Sequence, residues 1–326
     1  MCVGCCLPAQ GGVGKTTIAA ALVKDLEIRA SFDKIVWVSL GQTPDIRELQ
    51  ESIYAQLTEQ SIPDPAKSPE LVTAALRKAT EGSNVLLVLD DMWDPKYEKP
   101  LNCIDPDTKS RLLVTTRIRG ILNNSSEVEL GVLGAGEALK LLLASAGLDE
   151  AEVEEGSDER RYAAEIVEIC GRLPLTLAIA GGMVSDNPDG LTEDVVDVMK
   201  EDGLRDQDDE GDSGMTLEER VISSSLSMLK GKNRDLILKT FHFFAVFPED
   251  VPVPAGLFNV FAQMLTGEAK EKKAKMVLGN CLGKLLKYNL IKGSLSSGSG
   301  VFMHDIVRDF GKGVFVCMLP PLLRSR

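Results

Sequence analysis

The sequence predicts an α/β fold: a parallel sheet with helices on both faces, followed by an all-α helical domain and a winged-helix domain. Two observations support this. Strand-like and helix-like segments alternate over the first third of the chain, which is typical of parallel sheets because helices form the crossovers. From Leu133 onwards, amphipathic helical segments replace the strands. We predict domains at 1–132, 133–214 and 215–313, and a disordered tail at 314–326.

The predicted strands of the first domain are apolar runs rich in β-branched residues, as expected for a sheet that is buried on both faces. They are residues 2–8, Lys34–Leu40, Val85–Leu89 and Leu112–Thr115. The intervening helices have different signals. Ile46–Leu57 carries apolar residues at helical spacing. The next helix begins at a Ser68-Pro69 cap and runs through Ala79.

The second part of the chain is predicted to be helical and to end in a hairpin. Its helical segments are Ala135–Ala146, Glu159–Cys170, Leu173–Val184, Leu191–Met199, Leu217–Leu229 and Arg234–Phe244. The acidic stretch Glu201–Gly214 is predicted to be a loop or linker. A helix that ends at Asn289 precedes two short strand-like runs, Leu290–Ser294 and Val301–Met303, around a Gly/Ser turn. This pattern is typical of a winged helix.

Composition excludes several classes of function. A net charge of −13 argues against a nucleic-acid surface, which needs clustered Lys and Arg. The longest apolar run, Leu173–Val184, is too short to span a bilayer. The first residues lack the basic region of a secretory signal, and the cysteine count is odd. We therefore expect a cytoplasmic protein without membrane or nucleic-acid partners.

A glycine-rich turn at Gly11–Thr17 predicts a phosphate-binding loop. Glycine permits backbone angles that let successive N–H groups converge, and the helix that follows directs its positive end to the same place. Lys15 can reach the β- and γ-phosphates, and the Thr16 hydroxyl can hold Mg²⁺. The predicted nucleotide-binding residues of this loop are Gly11, Gly12, Val13, Gly14, Lys15, Thr16 and Thr17.

Charged residues follow two of the predicted strands. Asp90 and Asp91 end an apolar run, so Asp90 is predicted to bind Mg²⁺ with Thr16, and Asp91 to act as the general base. Lys15 and Asp91 are the predicted catalytic residues. Arg117 ends the next strand and can detect a γ-phosphate. Taken alone, the two acids can simply close a strand, and Arg117 can be a surface residue.

Six motifs occur in the order found in one family. They are Gly11–Thr17, 86–93, Ser110–Arg117, Cys170–Leu177, Phe243–Asp250 and Met303–Asp305. Together they resemble the nucleotide-binding NB-ARC module of plant-type disease-resistance proteins and apoptotic adaptors. Trp93 after the paired acids resembles the branch of that family with an N-terminal coiled coil. Neither a coiled coil nor leucine-rich repeats are evident in this chain, so we expect a fragment of a longer receptor.

The resemblance implies a molecular switch with ATP or ADP and Mg²⁺ as cofactors. Such a switch is closed with ADP, opens and oligomerises with ATP, and resets by slow hydrolysis. Its partners would be its own copies or signalling proteins. The resemblance further implies that Pro174 packs near the adenine and that His304 contacts the β-phosphate of ADP. From the residues alone, Pro174 can equally be a first-turn proline, and His304 a core or surface residue.

The chain departs from the usual pattern at two positions. Ala9 replaces the first glycine of the phosphate loop, and Arg172 replaces a glycine close to Pro174. Three alternatives stay open: a partition-type ATPase, a DNA-binding regulator, and a nucleotide-binding scaffold without turnover. The first is disfavoured because Gln10 stands where its signature lysine belongs. The second is disfavoured by the acidic charge.

Overall fold

The computed structural model describes residues 4–62, 69–123, 125–204, 215–231, 233–248, 251–295 and 300–318. The chain forms two compact units, which divide between Gly131 and Val132. Each unit has buried apolar clusters of its own. Among the described helices, none combines the length and hydropathy needed to cross a bilayer.

The first unit is built on a five-stranded sheet in which all neighbouring strands are parallel. The strands are β1 (Gly4–Pro8), β2 (Lys34–Gly41), β3 (Val85–Met92), β4 (Arg111–Thr116) and β5 (Ser126–Glu127). Their order is β2-β3-β4-β1-β5. The helices are α1 (Lys15–Lys24), α2 (Leu26–Ala30), α3 (Ile46–Thr58), α4 (Pro69–Thr80) and α5 (Glu98–Leu101). Ser68, the predicted cap of α4, lies outside the described residues.

Helices cover both faces of this sheet. Leu87 and Leu89 of β3 are fully buried in a cluster that includes Ile53 of α3 and Leu76 of α4. The alternate β3 residues Leu86 and Val88 belong to a second cluster, which contains Ala19 of α1. Because successive strand residues point to opposite faces, the two clusters lie on opposite sides of the sheet. The predicted α/β class, a parallel sheet with helices on both faces, is therefore confirmed.

The second unit is mostly helical. Its helices are α6 (Ala135–Ala146), α7 (Asp158–Ile169), α8 (Pro174–Asp186), α9 (Glu193–Leu204), α10 (Leu217–Ser227), α11 (Arg234–Phe244), α12 (Ala255–Thr266), α13 (Glu271–Lys287) and α14 (Asp305–Met318). One buried apolar cluster contains residues from Ala138 to Val307. This cluster includes residues on both sides of the predicted boundary between 214 and 215, so the division into helical and winged-helix domains stays a prediction.

A short antiparallel hairpin is present near the end of the second unit. Its strands are β6 (Lys292–Gly293) and β7 (Val301–Phe302), and an isolated bridge joins Val301 to Val253. The final helix α14 was not predicted, and it extends through Met318 into the range predicted to be a disordered tail. Residues 319–326 lie outside the described residues, as do 205–214 of the predicted acidic linker.

The helices α8 and α13 approach each other closely at Gly182. A Cβ at this position would lie 2.5 Å from the carbonyl oxygen of Lys287 and 2.6 Å from the Cα of Tyr288. One turn later, Asp186 accepts hydrogen bonds from Lys284, from Lys287 at 3.3 Å and from the Tyr288 hydroxyl at 2.9 Å. We call Asp186, Lys284, Lys287 and Tyr288 the α8–α13 cluster.

Candidate functional site

The turn between β1 and α1 carries the predicted phosphate loop. β1 ends at Pro8, and Gly14 is the N-cap of α1. Gly12 and Gly14 have left-handed φ values of 72° and 97°, which a side chain would strain. Gly11 is not among the described residues with a positive φ. The first N–H groups of α1 have no partners within the helix, so they suit an anion at this turn.

Ala9 fits the position where the loop usually has glycine. Its N–H donates to the Thr116 carbonyl at 3.2 Å, so it extends the pairing of β1 with β4. Ala9 is not among the described residues with a positive φ. The departure from the motif therefore causes no backbone strain, because this position needs no left-handed conformation.

Lys15 is buried at the start of α1, with 8% of its surface exposed. Its ammonium donates to the carbonyl oxygens of Ala9 and Gln10, both at 2.9 Å. Burial and, to a smaller extent, nearby Arg117 lower the pKa of Lys15 to about 8, although Asp91 and Asp90 act in the opposite direction. The Lys15 ammonium therefore lies against the loop carbonyl oxygens, in surroundings that stabilise its positive charge poorly.

Asp90 lies at the end of β3 and is 4% exposed. Its carboxylate accepts hydrogen bonds from three hydroxyls: Thr16 at 2.9 Å, Thr115 at 2.5 Å and Ser39 at 3.5 Å. Burial raises the pKa of Asp90, although the hydroxyls act in the opposite direction. Sequence analysis missed Ser39 and Thr115. The available signal was strand register, since Ser39 pairs with Asp90 across β2 and β3.

Asp91 occupies a bulge in β3. Between the register pairs Leu89–Val114 and Met92–Thr116, both Asp90 and Asp91 stand opposite the single residue Thr115. Asp91 has a left-handed φ of 54°, and its N–H donates to the Thr115 hydroxyl at 2.8 Å. One threonine side chain therefore contacts both acidic residues. Strained backbone of this kind concentrates at functional sites.

Trp93 and Arg117 complete the cluster. The Trp93 indole N–H donates to the Asp91 carboxylate at 2.9 Å. The guanidinium carbon of Arg117 lies 4.9 Å from the centroid of the Trp93 ring, within the range of a cation–π contact. Sequence analysis had used Trp93 only as a family marker. Both residues directly follow the register pair Met92–Thr116, so their proximity was available from strand pairing.

The carboxyl ends of β1, β3 and β4 therefore bring together most of the predicted site. The residues that meet there are Lys15, Thr16, Asp90, Asp91 and Arg117. The Thr16 hydroxyl and the Asp90 carboxylate are hard oxygen donors at hydrogen-bond distance, so they fit Mg²⁺. Two cations beside a glycine turn fit phosphates. Val13 is buried and Thr17 is exposed on either side of this turn.

Pro174 and His304 belong to the second unit, where each stands at the start of a helix. Pro174 is half-buried and is the first residue of α8. His304 is half-buried, and its Nδ1 lies 2.5 Å from the carboxylate of Asp305. Its carbonyl accepts from Arg308 in the first turn of α14. The contacts of both residues with a nucleotide stay predictions.

Arg172, which replaces the usual glycine close to Pro174, forms an ion pair with α7. The guanidinium pairs with the Glu168 carboxylate of α7, with Nε at 3.2 Å and a terminal nitrogen at 3.3 Å. Its backbone has a left-handed φ of 56°. This explains why a glycine is usual here, since arginine adopts that conformation only with strain.

Comparison with known proteins agrees with this geometry. A sequence model of the NB-ARC domain matches residues 6–152. The chain is 26% identical to putative disease resistance RPP13-like protein 3 of Arabidopsis thaliana, over 92% of this chain and 36% of that protein. It is 25% identical to disease resistance RPP13-like protein 4 of the same plant, with the same coverage of 92% and 36%. The chain thus spans about a third of the length of these relatives.

A solved structure supports the fold. The chain is similar to a Signal Transduction ATPase with Numerous Domains (STAND) protein with a tetratricopeptide repeat sensor from Pyrococcus horikoshii. The TM-score is 0.58 at 17% identity, and the match covers 95% of this chain and 40% of that one. The family resemblance found in the motifs is confirmed: residues 6–152 match the NB-ARC domain, and the relatives with similar sequences are named disease-resistance proteins.

Proposed function

We propose that this chain is a nucleotide-dependent switch, which binds ADP at rest and ATP when active, each with Mg²⁺, and hydrolyses ATP slowly. The observation that carries the proposal is the meeting of a buried ammonium, Lys15, with a buried carboxylate, Asp90. Burial lowers the pKa of the first and raises the pKa of the second, so both charges are disfavoured. Phosphates beside Lys15 and a divalent cation beside Asp90 would relieve both.

Each predicted residue receives a role in this proposal. The N–H groups of Gly11, Gly12, Val13 and Gly14 and of the first turn of α1 bind the β-phosphate, and Lys15 reaches the β- and γ-phosphates. Thr16 and Asp90 hold Mg²⁺, and Thr17 lies beside the phosphates in the same turn. The bound Mg²⁺ would neutralise the negative charge that develops on the transferred phosphoryl group.

Hydrolysis in this proposal depends on Asp91. Its carboxylate orients the attacking water and accepts its proton. The bulge, the Thr115 hydroxyl and the Trp93 indole fix Asp91 in one position. One oxygen of the Asp91 carboxylate already accepts the indole hydrogen bond, which leaves fewer lone pairs for the attacking water. The expected result is a slow ATPase, whose rate suits the resetting of a switch rather than metabolic turnover.

The switch needs the two nucleotides to favour different conformations. A change from 1:99 to 99:1 requires roughly 5.5 kcal/mol of differential binding. Arg117 and Lys15 are both cations at the site, and their mutual repulsion is relieved by the additional charge of a γ-phosphate. We further propose, from the family resemblance, that Pro174 packs against the adenine and that His304 contacts the β-phosphate of ADP.

The partners that we propose follow from the same resemblance. The relatives are named disease-resistance proteins, which favours a signalling role with self-association or a signalling partner. A cytoplasmic location agrees with the odd cysteine count and the acidic charge. Nucleic acid is not expected as a partner, because the net charge is −13.

The test is to identify the nucleotide that accompanies the purified protein. The protein is denatured, and the released small molecules are separated by anion-exchange chromatography. We expect about one ADP per chain in the wild type and almost none in Lys15→Met. Lys24→Met, which alters an exposed lysine at the other end of α1, is the matched control and should retain its ADP.

A second measurement separates a working switch from a scaffold that binds without turnover. Phosphate release from ATP should be slow but measurable in the wild type and lost in Asp91→Ala. Retained nucleotide in Lys15→Met would contradict the site. Nucleotide binding without any phosphate release would favour the scaffold.

A further inference from the structure

Trp93 is placed by strand register between two groups that the proposed chemistry uses. β3 and β4 pair at Met92 and Thr116, and the next residue on each strand is Trp93 or Arg117. Asp91 stands two residues before Trp93, inside the bulge. The fold thus brings the indole next to an acid on its own strand and a cation on the neighbouring strand.

Trp93 makes a different contact with each neighbour. Its N–H donates to the Asp91 carboxylate at 2.9 Å, a hydrogen bond strengthened by the negative charge. Its ring face carries the Arg117 guanidinium at 4.9 Å. The edge and the face of one rigid side chain therefore hold groups of opposite charge. Neither contact can be reproduced by an aliphatic residue.

Packing does not account for Trp93. It belongs to none of the three buried apolar clusters found in the described residues. Trp37, by contrast, packs against the cluster that contains Leu86 and Val88. These are the two tryptophans of the chain. The Trp37 indole N–H donates to the Ser39 hydroxyl at 3.3 Å. Trp37 therefore serves as the matched tryptophan on the same sheet, with an N–H that is not directed at Asp91.

The ring also contacts Arg117 beside a second cation, Lys15. Arg117 is close enough to Lys15 to disfavour the ammonium form of that lysine. The negative face of the indole gives the guanidinium of Arg117 an attractive contact at this place. A γ-phosphate would compete for the same guanidinium, since a charge-assisted hydrogen bond is stronger than a cation–π contact.

We propose that Trp93 is a positioning residue of the site, which holds Asp91 through its indole N–H and Arg117 through its ring face. It thereby links the residue that orients water to the residue that detects the γ-phosphate. The inference rests on the proposed function and extends it. The indole N–H contacts Asp91 and the ring face contacts Arg117. Substitutions at Trp93 that remove the N–H alone, or the N–H and the ring together, can therefore separate the effect on hydrolysis from the effect on nucleotide discrimination.

The experiment compares Trp93→Phe, Trp93→Leu and the control Trp37→Phe with the wild type. Dissociation constants are measured for ADP and for a non-hydrolysable ATP analogue, and phosphate release is measured in single turnover. Phenylalanine keeps the ring face but loses the N–H, so Trp93→Phe should slow phosphate release about tenfold and keep the preference between the nucleotides. Trp93→Leu should show the same slowing and increase the preference for the ATP analogue about fivefold, because the ring no longer competes with the γ-phosphate for Arg117.

One control is included, and three outcomes would overturn the inference. The control Trp37→Phe should behave as the wild type in both measurements. Equal weakening of both nucleotides in Trp93→Phe and Trp93→Leu would indicate packing and overturn the inference, as would wild-type behaviour of both variants. A wild-type chain that binds no nucleotide would reject the proposed function and this inference with it.

A second measurement leaves Trp93 intact and so does not depend on the folding of its variants. In Trp37→Phe, Trp93 is the remaining tryptophan and its fluorescence reports on the site alone. The ATP analogue should draw Arg117 off the ring and change the emission more than ADP does. Adding Arg117→Ala should abolish that difference. An identical response to both nucleotides in Trp37→Phe would contradict the inference.

Discussion

Asp90 of the first unit and Asp186 of the second are both shielded carboxylates near the end of a secondary-structure element, yet their environments shift the two pKa values in opposite directions. Within the described residues, Asp90 accepts only from hydroxyls, and burial raises its pKa. Burial acts in the same direction on Asp186, but hydrogen bonds from Lys284 and Tyr288 outweigh it, and its pKa lies below the usual value. The first charge is left to be neutralised by a ligand, and the second is already neutralised by the protein.

This difference separates a binding site from a structural contact. Groups poised for a ligand keep a charge that the fold does not satisfy, as with Lys15 and Asp90. The α8–α13 cluster, in contrast, satisfies its carboxylate with two ammonium groups and a phenol. We therefore expect substitutions in the second unit to change stability, and substitutions in the first to change ligand binding.

The largest effect on stability is expected for Gly182→Ala. The new methyl group would lie 2.5 and 2.6 Å from backbone atoms of Lys287 and Tyr288. Backbone atoms cannot move away by a change of rotamer, as a side chain can. We expect a loss of about 3 kcal/mol in the free energy of unfolding, measured by urea titration with circular dichroism. The shift of α8 should also separate Asp186 from its partners.

Gly279→Ala is the matched control for that substitution. Gly279 is inside α13, and apart from its own helix backbone no atom of the described residues lies within 4 Å of the position of its Cβ. Removing a glycine from a helix interior should raise stability by about 0.5–1 kcal/mol. Equal effects of the two substitutions would show that the contact of α8 with α13 is loose. The expectation that this contact stabilises the second unit would then be wrong.

Asp186→Asn tests the satisfied carboxylate directly. The amide cannot neutralise Lys284 and Lys287, so we expect a loss of about 2 kcal/mol at pH 7, an amount already reduced for the solvent that reaches this site. Because the pKa of Asp186 is lowered by folding, its contribution is present above the unfolded pKa of about 3.9 and is lost as the pH falls through the lower folded value.

Urea titrations at several pH values test that sign. The difference between wild type and Asp186→Asn should be constant from pH 5 to pH 7 and should shrink below pH 4. Glu271→Gln, in an exposed pair with Lys275 on α13, should change little at any pH. A difference that grows as the pH falls would show that Asp186 is not stabilised in its charged form.

The sheet of the first unit was predictable because its signals are local and its geometry is repetitive. Apolar runs located the four long strands, and parallel pairing alone implied that Thr16 and Asp90 would meet. The bulge was not predictable, since nothing in Asp90-Asp91 indicates which residue takes a left-handed φ. Ser126–Glu127 was missed because a two-residue polar strand has no apolar pattern.

The helical unit was harder to predict at its end. Its final helix α14 contains Gly311 and Gly313, which weaken a helix signal, and its stability comes from tertiary packing. Gly311 illustrates this, since a Cβ there would meet the Ala245 side chain at 2.8 Å. α12 was missed because Val260 and Met264 are exposed apolar residues, which obscure the boundary between its buried and solvated faces.

Nucleotide affinity should depend on pH through Lys15. Its pKa of about 8 means that the ammonium is mostly present at pH 7 and mostly absent at pH 9. We therefore expect ADP to bind about tenfold more weakly at pH 9 than at pH 7, as measured by calorimetry. Lys15→Arg keeps its charge over this range, so its affinity should not vary with pH. A flat profile in the wild type would show that Lys15 is fully stabilised without a ligand.

The smallest effect, and the one that sets the two carboxylates most directly against each other, is expected for Asp90→Asn. Folding raises the pKa of Asp90, so its ionised form is less stable in the folded chain than in the unfolded one. Stability is therefore lost as the pH rises from about 3.9 through the higher folded pKa. The amide oxygen can still accept from Thr16 and Thr115.

Asp90→Asn should thus raise the free energy of unfolding at pH 7 by about 1 kcal/mol, while Mg²⁺-dependent nucleotide binding is lost. This change in the free energy of unfolding is opposite in sign to the change expected for Asp186→Asn, although both substitutions replace one oxygen of a shielded carboxylate. Urea titration of both variants in one buffer, without nucleotide, makes the comparison. If Asp90→Asn is instead destabilised as much as Asp186→Asn, the hydroxyls of Thr16 and Thr115 satisfy Asp90 fully. The carboxylate would then be a structural anchor, because a charge that the fold has already stabilised leaves little to be gained from a cation.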